Sequence, residues 1–333
     1  MIITQWGDKL LNNNQHSILI AGGAGFIGSH LAKFCLDKSY RVIVVDNLIT
    51  GRQENIKALH KNPNFIFIKT DITQANFTIQ GSSFSIIFHL ASPASPPKYQ
   101  AKPIETLHAN SIGSENLLEL AKEQNARFVF ASTSEVYGDP AVHPQTESYW
   151  GNVNSFGARS CYDEAKRYGE ALCYSYLHKF DVDLRIARIF NTYGSNMDPK
   201  DGRIISNLIN QAINNQPLTI YGDGQQTRSF CYVSDMAEGL WKLATQNVKG
   251  EIINLGNPNE ISILETAKLI KKLTDSESQI IYEKLPQDDP IRRQPDISKA
   301  KKLLGWQPEI SFEEGLEKTI SYFKLLSRIG EDI

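Results

Sequence analysis

Six short apolar runs punctuate the first 190 residues, at positions 18–21, 42–45, 65–68, 85–90, 128–131 and 184–189. Most are apolar along their length instead of alternating with polar residues, which is the pattern of a strand buried on both faces. Between them, apolar residues recur at helical spacing, from Phe26, over 106–123, and from Cys161 to about His178. Strand and helix in alternation predict a parallel sheet with helices on both faces. After Phe190 the regularity lapses. A helix containing Asn207, a strand and turn over 218–224, a helix from Ser234, a strand near 252–255, a helix from Ser262, a short strand at 280–282, a charged irregular loop at 288–296 and an amphipathic helix over 312–326 follow. The expected division is a polar extension over 1–16, a sheet domain over 17–190 and a smaller α/β lobe making up most of 191–333.

Four glycines follow the first strand: Gly22, Gly23 and Gly25 in the turn, and Gly28 in the opening of the helix that begins at Phe26 and Ile27. Glycines at this spacing permit a tight turn and close backbone approach to a pyrophosphate, and the helix start offers free N–H groups to it. The second strand ends in Asp46, 21 residues after Gly25 and close to the spacing of a ribose-binding carboxylate. An ordinary strand–turn–helix with a capping Asp explains less of this order than a Rossmann-type, doubly wound dinucleotide site does. An acid at this place repels a 2′-phosphate, favouring NAD over NADP, with Arg52 nearby as the counter-indication. The loop carrying Asn47, Thr50 and Gly51 is placed to cover the ribose. Asp71, before Ile72, either caps a turn or meets the adenine amine. Leu90, Ala91 and Ser92 end the fourth strand with small side chains that leave room for a cofactor.

Candidate chemistry lies at the ends of later strands. The fifth runs into Ser132, Thr133, Ser134 and Glu135, polar groups costly to bury unpaired. Turn capping explains the hydroxyls better than it explains the glutamate. Tyr162 and Lys166, four apart, share one helix face. A phenol near pKa 10 is a poor base at neutral pH, but a neighbouring ammonium and a positive nicotinamide ring favour the phenolate. Tyr162 can then take a proton from a substrate hydroxyl as hydride leaves the same carbon, with Lys166 also reaching the cofactor ribose. Arg203, Arg228, Arg292 and Arg293 each sit in a turn-rich segment. Singly they read as solvated surface; together, beside a nucleotide fold, they suggest a clamp for a diphosphate and a carboxylate.

Composition narrows the partners. A net charge of −2 over 333 residues gives no basic excess for nucleic acid or an anionic membrane. No apolar run approaches the roughly 18 residues of a membrane span. The first 16 residues lack a signal-like apolar core. Cys35, Cys161, Cys173 and Cys231 show no C-x-x-C spacing and read as reduced thiols. A cytoplasmic, soluble protein is expected.

These residues, with the appended lobe, resemble the extended short-chain dehydrogenase/reductases that act on nucleotide sugars. The closer similarity is to the UDP-glucuronic acid decarboxylases and spans 17–323. It is carried by HLASPASPPKY (89–99), ASTSEVYGDP (131–140), SCYDEAKR (160–167), ARIFNTYG (187–194), DGRIISN (201–207), LTIYGDGQQTRSF (218–230) and RRQPDI (292–297). The resemblance implies NAD as cofactor, held also by Thr192, and a UDP-sugar held by Tyr99, Asn191, Arg203, Tyr221 and Arg228. It implies Glu135 and Arg293 beside the sugar carboxylate, with Thr133 assisting Tyr162. The implied reaction converts UDP-glucuronate to UDP-xylose and CO2 through a 4-keto intermediate. Sister dehydratases use an Asp-Glu pair after the Thr; here Ser134 stands at the Asp position. A 4-epimerase, or an oxidative decarboxylase stopping at the 4-ketopentose, stays open on the residues. So does a non-catalytic nucleotide-sugar binder, against which the intact Tyr162 and Lys166 argue. Ala158 replaces a proline common in relatives. The resemblance also implies a homodimer through the Thr106 and Tyr162 helices. Unlike in some relatives, no membrane anchor is expected ahead of the domain.

Overall fold

The computed structural model describes residues 17–284 and 292–328. The extension 1–16 and most of the acidic part of the 288–296 loop lie outside them. The central sheet has seven strands: β1 (Ser17–Ala21), β2 (Val42–Asp46), β3 (Phe65–Lys69), β4 (Phe84–His89), β5 (Arg127–Thr133), β6 (Leu184–Ile189) and β7 (Ile252–Leu255). Their spatial order is β3-β2-β1-β4-β5-β6-β7, and every pairing is parallel. The strands pack on both sides, as their unbroken apolar runs require. In β1, Ile18 and Ile20 join one core while Leu19 and Ala21 join the other, following the two-residue strand period.

Eight helices matter for the site: α1 (Phe26–Asp37), α2 (Pro103–Asn110), α3 (Ile112–Gln124), α4 (Ser160–Phe180), α5 (Ile204–Ile213), α6 (Val233–Thr245), α7 (Ile263–Thr274) and α8 (Phe312–Arg328). Leu117, Leu118 and Ala121 of α3 and Cys173 and Tyr176 of α4 cover one face of the sheet. Leu31 and Cys35 of α1, with Met236 and Leu240 of α6, cover the other. A separate core binds α5, α7 and α8 through Ile209, Ile270, Leu316 and Phe323.

Two features differ from the sequence expectation. The strand over 252–255, read as part of the second lobe, is the outermost strand of the main sheet and pairs with β6. The chain therefore crosses back over the 190/191 division, with α6 covering the sheet on the way. The single helix expected over 106–123 is broken at Ser111 (φ −107°, ψ −81°) into α2 and α3. The break sets Gly113 flat against Ile72, where a Cβ would lie 2.6 Å from its Cδ1, and directs the Asn110 amide onto Ser92 Oγ at 2.8 Å.

Candidate active site

The strand order reverses between β1 and β4, and the crevice at their carboxyl ends is where an open α/β sheet binds ligands. Gly22 turns there with φ 80°; a Cβ on it would meet the Leu90 and Ala91 backbone at 2.6 Å. Gly28 packs so closely under the turn that a Cβ would lie 2.2 Å from the Gly22 carbonyl oxygen. No side chain caps the start of α1, leaving its first N–H groups for an anion. Asp46, buried, accepts the Ala24 N–H at 3.1 Å and the Leu48 N–H at 2.8 Å. Gly51 lies flush against that carboxylate, leaving a cradle only a glycine allows. These residues fit a dinucleotide.

Two cavities follow from this geometry. One of about 110 Å³ is walled by Asp46, Asn47, Gly51, Asp71, Ile72 and Ala91. Asp71 caps its turn through the Thr73 N–H at 2.8 Å and also accepts from the Asn47 amide at 2.8 Å while facing this space. The other, of about 600 Å³, is walled on the cofactor side by Phe26, Ile27, Gly28, Thr192, Tyr162 and Lys166. Its far side is built by Tyr99, Thr133, Glu135 and Asn191, and by Arg203, Tyr221, Arg228 and Arg293. Gly22, Gly25, Thr50, Leu90 and Ser92 line both, so the two form one continuous groove.

Tyr162 and Lys166 leave the first turns of α4 on the same side. The Tyr162 ring lies under that of Tyr99, centroids 5.0 Å apart and planes within 3°. The Lys166 ammonium donates to the Ala131 carbonyl at 2.8 Å and sits 5.9 Å from the Tyr162 ring centroid. Burial pushes the phenol up to about 12; its hydrogen bond with Thr133 works against this, Glu135 and Asp163 with it. Burial lowers Lys166 to about 7, opposed by Glu170. The protein alone thus holds Tyr162 protonated, and a positive ring beside it favours the phenolate.

Glu135 sits on the turn Ser134–Tyr137 that follows β5. Arg293 Nη1 donates to one of its carboxylate oxygens and Arg159 Nη2 to the other. Burial opposes its charge, but Arg293, Arg159 and, with a smaller effect, Arg228 outweigh burial and hold the carboxyl below its usual range. Arg159, which also lines the cavity, is a position the motifs did not mark, although it stands three residues before Tyr162. It also lies 3.6 Å from the buried Asp163, whose carboxyl burial and Glu135 push up to about 7. Among the strand-end hydroxyls, Ser132 donates to Glu170 at 2.6 Å and so braces α4. Arg203 pairs with Asp201 while facing the cavity. Arg292, expected in the clamp, is exposed and off the cavity wall. Adjacent residues of an extended segment point opposite ways, so only Arg293 faces in.

Among the described residues no cluster of three or more metal-ligating side chains occurs, and no helix is long and apolar enough to cross a membrane. The family model described as GDP-mannose 4,6 dehydratase matches residues 19–319. UDP-glucuronic acid decarboxylase 1 of Danio rerio is 52% identical over 314 residues, covering 94% of this chain and 74% of that protein. The chain belongs to the UDP-glucuronic acid decarboxylase family. UDP-glucuronic acid decarboxylase 6 of Arabidopsis thaliana is 49% identical over 323 residues, 97% of this chain and 92% of its own. Among solved structures, UDP-glucuronic acid 4-epimerase from Bacillus cereus in complex with UDP-glucuronic acid and NAD superposes with a TM-score of 0.84 at 32% identity, covering 93% of this chain and 99% of that one.

Proposed function

We propose that this chain is an NAD-dependent decarboxylase that turns UDP-glucuronate into UDP-xylose and CO2. The observation that carries the reading is the meeting of Tyr162, Thr133, Glu135 and Arg293 on one wall of one groove, in a chain about half identical to decarboxylases of that name. When bound, NAD supplies the acceptor and then the donor of the C4 hydride. The protein's part is proton and charge handling. Tyr162 takes the C4 hydroxyl proton, its phenol already engaged with Thr133. Once C4 is a carbonyl, the C6 carboxylate is β to it; the C5–C6 bond breaks and its electron pair moves to the C4 oxygen. Tyr162, now protonated, donates to that oxygen, and Thr133 backs it. C5 then takes one proton from solvent, the proton that the overall reaction consumes. Glu135 and Arg293 flank the carboxylate end. Arg203 and Arg228, with Tyr99, Asn191 and Tyr221, hold the UDP and sugar.

Ser134 disfavours dehydration, since a serine hydroxyl is too weak an acid to expel hydroxide. A product assay on UDP-glucuronate tests the reading: UDP-xylose by NMR supports it. UDP-galacturonate makes the chain an epimerase, and a 4-ketopentose with stoichiometric NADH makes it an oxidative decarboxylase.

A homodimer is part of the proposal. Supporting it, α2 and α4 leave Ile104, Leu107, Tyr168 and Tyr174 exposed, an apolar patch that a second copy of the same helices would cover. Light scattering should give a dimer for the wild type and a monomer for Tyr174→Glu with Ile104→Glu; a wild-type monomer refutes it. A cytoplasmic setting is inferred from four unpaired cysteines, three of them buried.

A further inference from the structure

Arg293 meets Glu135 across 158 residues of sequence, from a stretch outside any helix or sheet strand. Its side chain is held at the tip, by Nη1 on Glu135 and Nη2 on the Gly138 carbonyl at 3.2 Å, while the buried Nε has no hydrogen bond among the described residues. The backbone therefore shares in the aiming. The Ser229 hydroxyl donates to the Arg293 carbonyl at 3.3 Å, and the backbone just beyond is held by Gln145, a fully buried residue that lines neither cavity. The Gln145 N–H donates to the Gln294 carbonyl at 2.8 Å, and its Oε1 accepts the Gln294 N–H at 2.8 Å. Its own carbonyl accepts the Asp296 N–H at 2.9 Å, and its Nε2 donates to the Val142 carbonyl at 2.9 Å.

Asn254 of β7 locks the two segments together, donating to the carbonyls of both Gln145 and Asp296 at 3.0 and 3.1 Å. Its Oδ1 accepts from the Tyr137 hydroxyl at 2.7 Å, which accepts from Arg188 at 3.0 Å. Arg188 in turn grips Glu170, one turn beyond Lys166 on α4, at 2.9 and 2.7 Å. A chain of buried hydrogen bonds thus runs from the catalytic helix to the segment bearing Arg293.

We propose that Gln145 is a positioning residue that aims Arg293 at the carboxylate end of the site, so that it governs loss of CO2 while leaving the C4 redox chemistry untouched. This rests on the reading of Arg293 given above. The two chemistries separate cleanly: the C5–C6 cleavage needs the carboxylate end, whereas reduction of a 4-ketopentose that has already lost C6 needs only Tyr162, Lys166 and Thr133.

The test follows two reactions of the full chain, CO2 release from UDP-glucuronate and reduction of UDP-4-ketopentose by NADH, in wild type, Gln145→Leu and Arg293→Ala. A misplacement of about 1 Å costs on the order of 100-fold in rate, so Gln145→Leu should lose about 10- to 100-fold in CO2 release and less than about twofold in ketopentose reduction. Arg293→Ala should show the same split. If Arg293→Ala shows it and Gln145→Leu does not, or loses both reactions equally, the role of Gln145 is overturned. If Arg293→Ala shows no split, the reading of Arg293 fails first and the proposal with it. Should Gln145→Leu not fold, Gln145→Glu decides. A protonated glutamic acid can accept from Gln294 and donate to Val142 as the amide does, so its ratio of CO2 release to ketopentose reduction should climb toward wild type as the pH falls toward about 6. A ratio that tracks wild type even above about pH 9, where a buried glutamic acid is ionised, overturns the proposal.

Discussion

Replacing Glu135 by glutamine removes the one charge that the buried Arg293 and the half-buried Arg159 share. Breaking a buried ion pair by deleting one partner costs about 3–5 kcal/mol. Here Arg159 keeps Asp163 at 3.6 Å and Arg293 keeps the Gly138 carbonyl at 3.2 Å, so the low end, about 3 kcal/mol, is expected. The loss should depend on ligand. UDP-glucuronate brings a carboxylate to the guanidiniums that have lost Glu135, whereas UDP does not. In Glu135→Gln, UDP-glucuronate should therefore stabilise the fold by about 1–2 kcal/mol more than UDP at equal free concentration. In wild type the two ligands should differ by less, because Glu135 already occupies the same cations. The pH arm has a definite sign. The Glu135 carboxyl is held below its ordinary value of 4.5, so its contribution is complete above that pH and is lost as the pH falls through the lower, folded-state value. The gap between wild type and Glu135→Gln should be flat above about pH 7; below it the gap also carries the titration of Asp163, which Glu135 pushes up, and it closes in acid as Glu135 itself is protonated. Urea unfolding with each ligand, at several pH values, measures all three. A variant within about 0.5 kcal/mol of wild type, or one that UDP and UDP-glucuronate stabilise equally, refutes the shared-charge argument.

Two further outcomes follow from the same geometry. Tyr162→Phe should lower turnover by at least about 1000-fold while UDP affinity by calorimetry stays unchanged, because only the phenolic oxygen is lost. Gly28→Ala should weaken NAD binding at least about tenfold and leave UDP binding intact, since a Cβ 2.2 Å from the Gly22 carbonyl must push the glycine turn open.

The parts of this fold legible in the sequence are those where one residue type has one reason to be present. β1, β2 and β4 announce themselves because a strand covered on both faces can carry little that is polar. The glycine turn and Asp46 are legible because the crevice needs a missing side chain at one point and a carboxylate at another. Tyr162 and Lys166 are legible because four residues make one helical turn. What stayed hidden depends on pairings that spacing does not encode. β7 looks like any short apolar strand, and nothing in its residues says that it returns to β6. The break at Ser111 goes with packing of Gly113 on Ile72, a contact across 41 positions. Arg159 and Arg292 both lie outside helix and strand, and only the direction of the backbone decides that the first grips Glu135 while the second faces solvent. Gln145 is harder still: a glutamine in a loop reads as surface, and only its burial against Gln294 shows that it carries the segment bearing Arg293.

The central claim is that oxidation and reduction occur at one carbon, within one turnover, around the loss of CO2. Turnover of UDP-glucuronate deuterated at C4 tests it most directly. The account requires UDP-xylose that keeps the deuterium at C4, released with CO2 and without net accumulation of NADH. Deuterium lost from C4, or NADH formed in proportion to CO2, would contradict it.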